Sequence, residues 1–506
     1  MSKIFYLTTP IYYVNAKPHI GHAYTNVIAD CMARFRRLKN DEVFFLTGTD
    51  EHGEKIKKVA ETQGEEIIKF VDGFAQNFKD LWHKLNISYD FFIRTTFDFH
   101  CKAVQKVIST LSEKGDIYKG KYKGYYCLPC ESFWAKQQIT DVGVCPDCGR
   151  PLEEVTEDNY FFKMSKYQDW LLSHLRDNPG FIKPKTRYNE VLSFLEKNIL
   201  DDLCISRPKK RLSWGVDFPL DSNYVVYVWF DALINYISGV GYGQDDNKFN
   251  TFWPADIHFM AKDIIRHHAI FWPIMLKALG LEMPRIIFAH GWWKFEGEKV
   301  SKSRGNIVNP LDLIQNTSVD ALRYFLLREV PLGLDGNFSW PAIINRVNSD
   351  LANDLGNLVY RTLNMSEKYF NCDIPIKADV PLEFKDCLNS LALNYIRRME
   401  EGDFSICLEE IFKLIGIMNK YIEDQKPWSL WKNKELDKLR EMLYSLLEGI
   451  RIISVYLSPF IPKTTEDINS QLGLNKKVSL KDAIWGKVSG YKVNKGSPLF
   501  PRIDAD

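Results

Sequence analysis

Apolar positions change period several times along the chain, and those changes mark its elements. An apolar run from Ile4 to Leu7 reads as a buried strand. Tyr24, Ile28, Cys31, Phe35 and Leu38 then recur at steps of four, three, four and three, which is one face of a helix. A second apolar run, Val43 to Leu46, ends in Thr47-Gly48-Thr49-Asp50. Strand, helix, strand in this order predicts a βαβ unit, and sheets built from such units bind ligands beyond the carboxyl ends of their strands. His19, His22 and Asp50 would all sit at that edge.

The same reading divides the whole chain. Residues 1–116 look like the first half of a doubly wound α/β domain of Rossmann type. From 117 to 222, glycines, aromatics and cysteines cluster among short strand-like and helical pieces, which marks an insertion. Strand-and-helix character returns at Val225 to Tyr227 and continues through Ile257 to Met260 and Ile286 to Ala289, so 223–335 is expected to be the second half. Residues 336–506 are almost wholly helical in period. Leu351, Leu355, Leu358 and Leu363 mark one long amphipathic helix there and Ile406 to Ile422 another, so a helical bundle is expected.

Composition narrows the class without naming a function. The chain has 506 residues, 45% of them apolar, and a net charge of +1. That is an ordinary globular balance, long enough for about three domains. A nucleic-acid partner would have to be met by a local basic surface, and Lys209-Lys210-Arg211 is one cluster, although three adjacent charges are more often plain surface. No stretch has the apolar length of a membrane span, and residues 1–15 lack a secretory leader's pattern. Ten cysteines in a chain this long do not suggest a secreted disulfide framework. A bacterial cytosol is expected, with an organelle matrix as the alternative.

Three segments carry chemistry. His19-Ile20-Gly21-His22 follows a strand and opens a helix, placing imidazoles at a helix N-terminus, where anions bind. Lys299-Val300-Ser301-Lys302-Ser303 puts two lysines and two serines in a Gly-flanked loop suited to polyphosphate. Cys127-Leu128-Pro129-Cys130 and Cys145-Pro146-Asp147-Cys148 form two hooks, each able to place two thiolates on one tetrahedral metal. A four-sulfur set selects zinc or iron, and structural zinc is the expectation. Four sulfurs leave no open coordination position, so this metal should organise the insertion and perform no chemistry.

The first two segments, in that order, resemble the paired ATP-binding motifs of class I aminoacyl-tRNA synthetases. Other segments resemble the methionyl family in particular, over nearly the whole chain. They are Pro10 to Asn15, Thr49-Asp50-Glu51-His52-Gly53, Tyr227 to Ala232 with Tyr236, and Lys262-Asp263-Ile264 with His268. The resemblance implies methionine–tRNA ligation, with Mg·ATP, L-methionine and tRNA(Met) as partners. His19, Gly21, His22, Lys262 and Asp263 would bind ATP, joined by Lys299, Ser301 and Lys302 from the loop. His19, His22, Lys299 and Lys302 would act on the phosphoryl transition state and the pyrophosphate. Asp50 would pair with the substrate ammonium. Ile11, Tyr13, Trp229 and Leu233 would line the thioether pocket with Tyr236, Ile264 and His268. Tyr13 and His268 are expected to donate weak hydrogen bonds to the thioether sulfur. Arg207 resembles a family arginine near the active site. In the helical region, Asn357 and Arg361, four apart, and Pro427-Trp428 match anticodon-reading positions, where unpaired bases stack on aromatics.

Two positions depart from the family pattern: Ala261 stands where a glycine is usual, and Val300 where methionine is usual. The insertion is too short for the editing domain expected of isoleucyl, valyl or leucyl enzymes, whose substrates differ too weakly for one pocket to separate. The alternatives are a class I synthetase for another amino acid, a nucleotidyltransferase without tRNA, and a catalytically silent tRNA-binding paralogue. The silent paralogue should have lost a motif histidine or Lys302, and the chain retains all of them. No appended module is recognised after Pro498 to Arg502, so a monomer is expected.

Overall fold

The computed structural model describes residues 3–134, 139, 143–146, 148–295, 298–299, 309–474 and 478–504. Its strands, in chain order, begin with β1 (Ile4–Tyr13), β2 (Glu42–Asp50) and β3 (Phe91–Arg94). Next come β4 (Ile117–Cys127), β5 (Ser132–Trp134), β6 (Glu153–Phe162), β7 (Ile182–Lys183), β8 (Leu203–Cys204) and β9 (Ser206–Pro208). Then follow β10 (Tyr224–Val226), β11 (Ile257–Ala261) and β12 (Ile286–His290). The central sheet has the order β3-β2-β1-β11-β12-β7, with every neighbouring pair parallel. Strand order reverses between β1 and β11, so the crevice of this doubly wound sheet opens at their carboxyl ends.

Two strands depart from the expected plan. Val225 to Tyr227 does not return to the parallel sheet; β10 pairs antiparallel with β9 in a two-stranded ladder. Conversely β7, from within 117–222, forms the edge of the parallel sheet beside β12. A two-residue edge strand has too short an apolar run to be read from sequence. The insertion also holds a four-stranded antiparallel sheet, β5-β4-β6-β8, and the helices Gln168–Asp177 and Lys185–Lys197.

Alternate residues of each central strand enter different cores, as a period of two requires. Phe5, Leu7, Phe45, Phe92 and Phe259 face one core, while Tyr6, Leu46, Ile93 and Met260 face the other. The first core continues without a break into the helical region, through Leu351, Leu355, Ile411 and Leu443. Helix α1 (Ile20–Leu38) is therefore covered on nearly all sides, not only along its apolar stripe; even Asn26 and Asp30 are buried. The long helix expected around Leu351 to Leu363 is a π-helical stretch, Val347–Gly356, running into an α-helix, Asn357–Phe370. The second expected helix spans Phe404–Gln425. Among the described residues, no helix is long and apolar enough to cross a membrane.

Candidate functional site

The register of β1 against β2 shifts between Thr8 and Ile11. Pro10 has no N–H to give the ladder, and a bulge is where such a residue fits. Beyond the bulge, Ile11 and Tyr13 line a cavity of about 830 Å³ at the carboxyl ends of β1 and β11. The residues that the sequence assigns to ATP or methionine meet there, Lys299, Ser301 and Lys302 apart. His19, Gly21 and His22 enter from α1, and Asp50 from β2. Trp229, Leu233 and Tyr236 come from the two short helices after β10. Lys262, Asp263, Ile264 and His268 come from the segment after β11. Lys299 lies in a short strand, Glu298–Lys299, and its side chain is outside the described residues, as are Ser301 and Lys302.

His19 is the N-cap of α1. Its Nδ1 accepts from the Gly21 N–H at 3.1 Å, and the His22 Nδ1 accepts from the His19 N–H at 3.2 Å. With Nδ1 accepting on each neutral ring, Nε2 must carry the hydrogen. The two rings stack, 3.9 Å between centroids. A side chain at Gly21 would meet His19 Cε1 at 2.9 Å, so this close approach needs glycine. The first turn of α1 holds no acidic residue, which leaves its positive dipole end for an anion.

Asp50 is the carboxylate with an unsatisfied oxygen among the described residues lining the cavity, where Arg187, Asn235, His267 and Trp293 also each carry a polar atom without a partner. Asp50 is 7% exposed, and its Oδ1 has no hydrogen-bond partner among the described residues. Burial, then the nearby Asp231, Glu131 and Glu51 carboxylates, push its pKa well above the ordinary range. Its neighbours are themselves held. Glu51 takes Arg94 Nε at 2.6 Å. Asp231 meets His52 Nδ1 at 2.7 Å and His100 Nε2 at 2.9 Å. Burial alone would raise Asp231, but the two imidazoles hold it at about 2.

The thioether expectation needs correction. The Tyr13 hydroxyl donates to Glu131 Oε1 at 2.7 Å. His268 Nδ1–H donates to the Ile264 carbonyl at 2.9 Å, so Nε2 must accept, and the Tyr236 hydroxyl donates to it at 2.7 Å. Burial lowers the His268 pKa to about 4, keeping the ring neutral. Neither Tyr13 nor His268 therefore offers its hydrogen to a sulfur in this arrangement. His268 also sits on a π-helical turn, His267–Phe271, whose wider register sequence periodicity does not reveal. His267 stacks on Trp229 at 3.7 Å and was not anticipated. Glu131, His290 and Asp335 were missed as well. The polar residues in their neighbourhood were the available signal, and it is a weak one.

After β11, Lys262 Nζ contacts both Asp335 oxygens, at 2.7 and 2.8 Å, and lies 4.2 Å from the Trp292 ring centroid. Burial would raise the Asp335 pKa, yet its lysine partners and the Trp292 N–H hold it at about 2. Arg207 is fully buried between the Tyr126 and Phe133 rings, 3.9 and 4.0 Å from their centroids. The Lys209-Lys210-Arg211 cluster is not an open basic patch, because Arg211 pairs with Glu54, Glu153 and Glu157 and Lys209 with Asp217.

The Cys127, Cys130, Cys145 and Cys148 sulfurs lie within 4.8 Å of one another, Cys127 and Cys148 at 3.6 Å. Tetrahedral zinc–thiolate bonds of about 2.3 Å set sulfurs about 3.8 Å apart, so the cluster fits one such ion. Among the described residues, the hydrophobic cluster here has Cys127, Trp134 and Cys145 as its buried members, a small core of the kind that a metal staple supports. Elemental analysis should find one zinc ion per chain, and Cys145→Ser should abolish it. In the helical region Asn357 and Trp428 are exposed, Pro427 is buried, and Arg361 pairs with Glu423 at 2.6 Å.

Comparison with known proteins agrees with this geometry. The family model described as tRNA synthetases class I (M) matches residues 5–154 and 150–363. The anticodon-binding domain of tRNA ligase matches 383–495. A methionine–tRNA ligase of Caldanaerobacter subterraneus is 49% identical over 100% of this chain and 80% of its own length. Another from Clostridium tetani is 50% identical over 100% and 79%. Mycobacterium tuberculosis methionyl-tRNA synthetase in complex with methionyl-adenylate superimposes with a TM-score of 0.94 at 40% identity, covering 99% of this chain and 100% of that one. A crevice at the carboxyl ends of β1 and β11, a four-cysteine cluster and a matched anticodon-binding region thus have one common explanation: the chain belongs to the methionyl-tRNA synthetase family of class I.

Proposed function

We infer that this protein is a methionine–tRNA ligase, which makes methionyl-adenylate from methionine and ATP and then acylates the terminal adenosine of tRNA(Met). The observation that carries this reading is the unsatisfied Asp50 carboxylate in one cavity with the capped histidines of α1. A cation site for an amino acid then lies beside an anion site for phosphate. The methionine carboxylate oxygen attacks the α-phosphorus, and the bond from that phosphorus to pyrophosphate breaks. His19 and His22 present Nε2–H donors to the charge that builds on the phosphoryl oxygens, where positioned donors do most of the catalytic work. Lys302 and Lys299 neutralise the departing pyrophosphate. Mg²⁺ accompanies ATP, and the four thiolates hold structural zinc.

Ile11, Trp229 and Leu233 would close around the methionine side chain, with Tyr236 and His268 as a fixed polar wall. A flexible, polarizable thioether suits aromatic walls of this kind. Asn357, Arg361 and Trp428 would read the anticodon, Pro427 fixing the entry of Trp428's helix. The proposed setting is a bacterial cytosol, with the protein as a monomer.

The test is amino-acid-dependent ATP–pyrophosphate exchange across all twenty amino acids, followed by charging of tRNA(Met). Exchange with methionine alone is expected. Exchange with a different amino acid would overturn the pocket reading, and none at all would favour the silent paralogue. Trp428→Ala should slow charging while leaving exchange unchanged.

A further inference from the structure

Glu131 follows the last cysteine of the first hook, yet its side chain is buried at the wall of the amino-acid cavity, 4% exposed. One oxygen, Oε1, takes two hydrogen bonds: from the Tyr13 hydroxyl at 2.7 Å and from the Lys55 N–H at 2.7 Å. The backbone carbonyl of Glu131 accepts from the Tyr227 hydroxyl at 2.5 Å. The residue adopts φ +48°, a left-handed conformation that a side-chain-bearing residue holds only when its surroundings impose it.

The space is built for this meeting. Gly53, φ +117°, lies against it, and a Cβ there would come within 2.3 Å of the Tyr13 hydroxyl oxygen and 2.5 Å of Glu131 Oε2. The end of β1, the loop after β2 and the cysteine hook therefore converge on one carboxylate. The sequence separation between Tyr13 and Glu131 is 118 residues, so no local pattern joins them.

We propose that Glu131 is a positioning residue for the amino-acid pocket: it orients the Tyr13 ring and thereby makes methionine recognition depend on the cysteine hook. This rests on the methionine-pocket reading. Tyr13 is an aromatic wall of the site, and its hydroxyl has its acceptor in Glu131. Without that partner the ring keeps its place only by packing, and small misplacements of a positioning group carry large losses. Glutamine at this position would still present an oxygen to both donors, so the amide should restore most of the effect.

The test is exchange kinetics on the full-length, zinc-loaded protein, with zinc content measured for every variant. Glu131→Ala should raise KM for methionine by about 10- to 100-fold with KM for ATP changed less than about 2-fold. Glu131→Gln should stay within about 3-fold of the wild type. Tyr13→Phe should weaken methionine binding, and adding it to Glu131→Ala should cost less than the product of the two separate losses, as for residues that act through one contact. The proposal is overturned if Glu131→Ala loses its zinc or weakens ATP as much as methionine. Equal damage from Gln and Ala, or independent effects at Tyr13 and Glu131, would overturn it too. A wild type without methionine-dependent exchange would remove the pocket reading itself, and that outcome is visible before any variant is compared.

Discussion

Asp50→Asn should lower kcat/KM for methionine by about 10²- to 10³-fold, the ~3–4 kcal/mol that losing one partner of a buried charge pair costs. The amide keeps the shape of the carboxylate but cannot balance an ammonium. The nearby Asp231 and Glu51 offer no substitute, because they are already held by His52, His100 and Arg94. KM for ATP should move little, since the groups proposed to bind phosphate belong to α1 and to the segment from Lys299 to Lys302, not to β2.

The raised pKa of Asp50 gives the prediction a pH signature. Burial and the surrounding carboxylates favour the protonated form in the free protein. Methionine's ammonium needs the ionised form, so methionine affinity should rise with pH until Asp50 has lost its proton, then level off. Asp50→Asn should flatten that rise. The same shift acts on stability with the opposite sign. A carboxyl whose pKa is higher folded than unfolded binds its proton more tightly in the native state. Stability therefore falls as pH climbs from the ordinary carboxylate value through the raised one. At neutral pH, Asp50→Asn should thus raise the melting temperature while removing activity, the trade expected of a strained site. Calorimetry beside isothermal titration with methionine separates the two effects. A variant that binds methionine as the wild type does would sink the assignment of Asp50.

Arg323→Met should destabilise the whole protein by about 3–5 kcal/mol, because it leaves a buried carboxylate without its main partner. Both Arg323 and Asp30 have 0% exposure, and Arg323 Nη2 lies 2.7 Å from Asp30 Oδ2. The guanidinium also donates to the Phe460, Pro459 and Leu85 carbonyls at 3.0, 3.1 and 3.3 Å. One side chain thus ties α1, whose first turn carries the site histidines, to the loop after the helix Leu436–Leu457. Burial would raise the Asp30 pKa, but Arg323, Arg34 and two Ser88 hydrogen bonds more than offset this and hold it below the usual value. A depressed carboxylate stabilises the fold above its unfolded pKa, and that contribution is lost as pH falls through the folded one. The wild type should therefore lose stability below about pH 4. Arg323→Met should lose less over the same window, a difference that denaturant melts at pH 7 and pH 3 would show.

Much of the cavity was legible before any fold was known, and the reason is locality. His19, Gly21 and His22 lie within four residues at a helix N-terminus, and each pair of cysteines lies within a turn of four. Asp50 was readable because a carboxylate ending an apolar strand beside glycine is hard to explain as packing. The thioether contacts were misread because the Tyr13 hydrogen is committed to Glu131, 118 residues away, and the His268 hydrogen to the Ile264 carbonyl one turn back. His267 and His268 were further obscured by a π-helical turn that breaks the period of 3.6.

The sequence alone made legible the βαβ order, the two cysteine hooks, the histidine turn that opens α1 and the helical character of the last third, since each is built from short local patterns. Only the tertiary structure decided that β7 leaves the insertion to edge the main sheet, and that the helical region shares a core with one sheet face. It also decided that Asp30 meets Arg323 and that Glu131 reaches from the hook to Tyr13. Each of those joins residues separated by a hundred positions or more, or faces of elements that are each self-consistent alone. Burial, charge pairing and hydrogen-bond satisfaction select such partners only once the whole chain has closed around them.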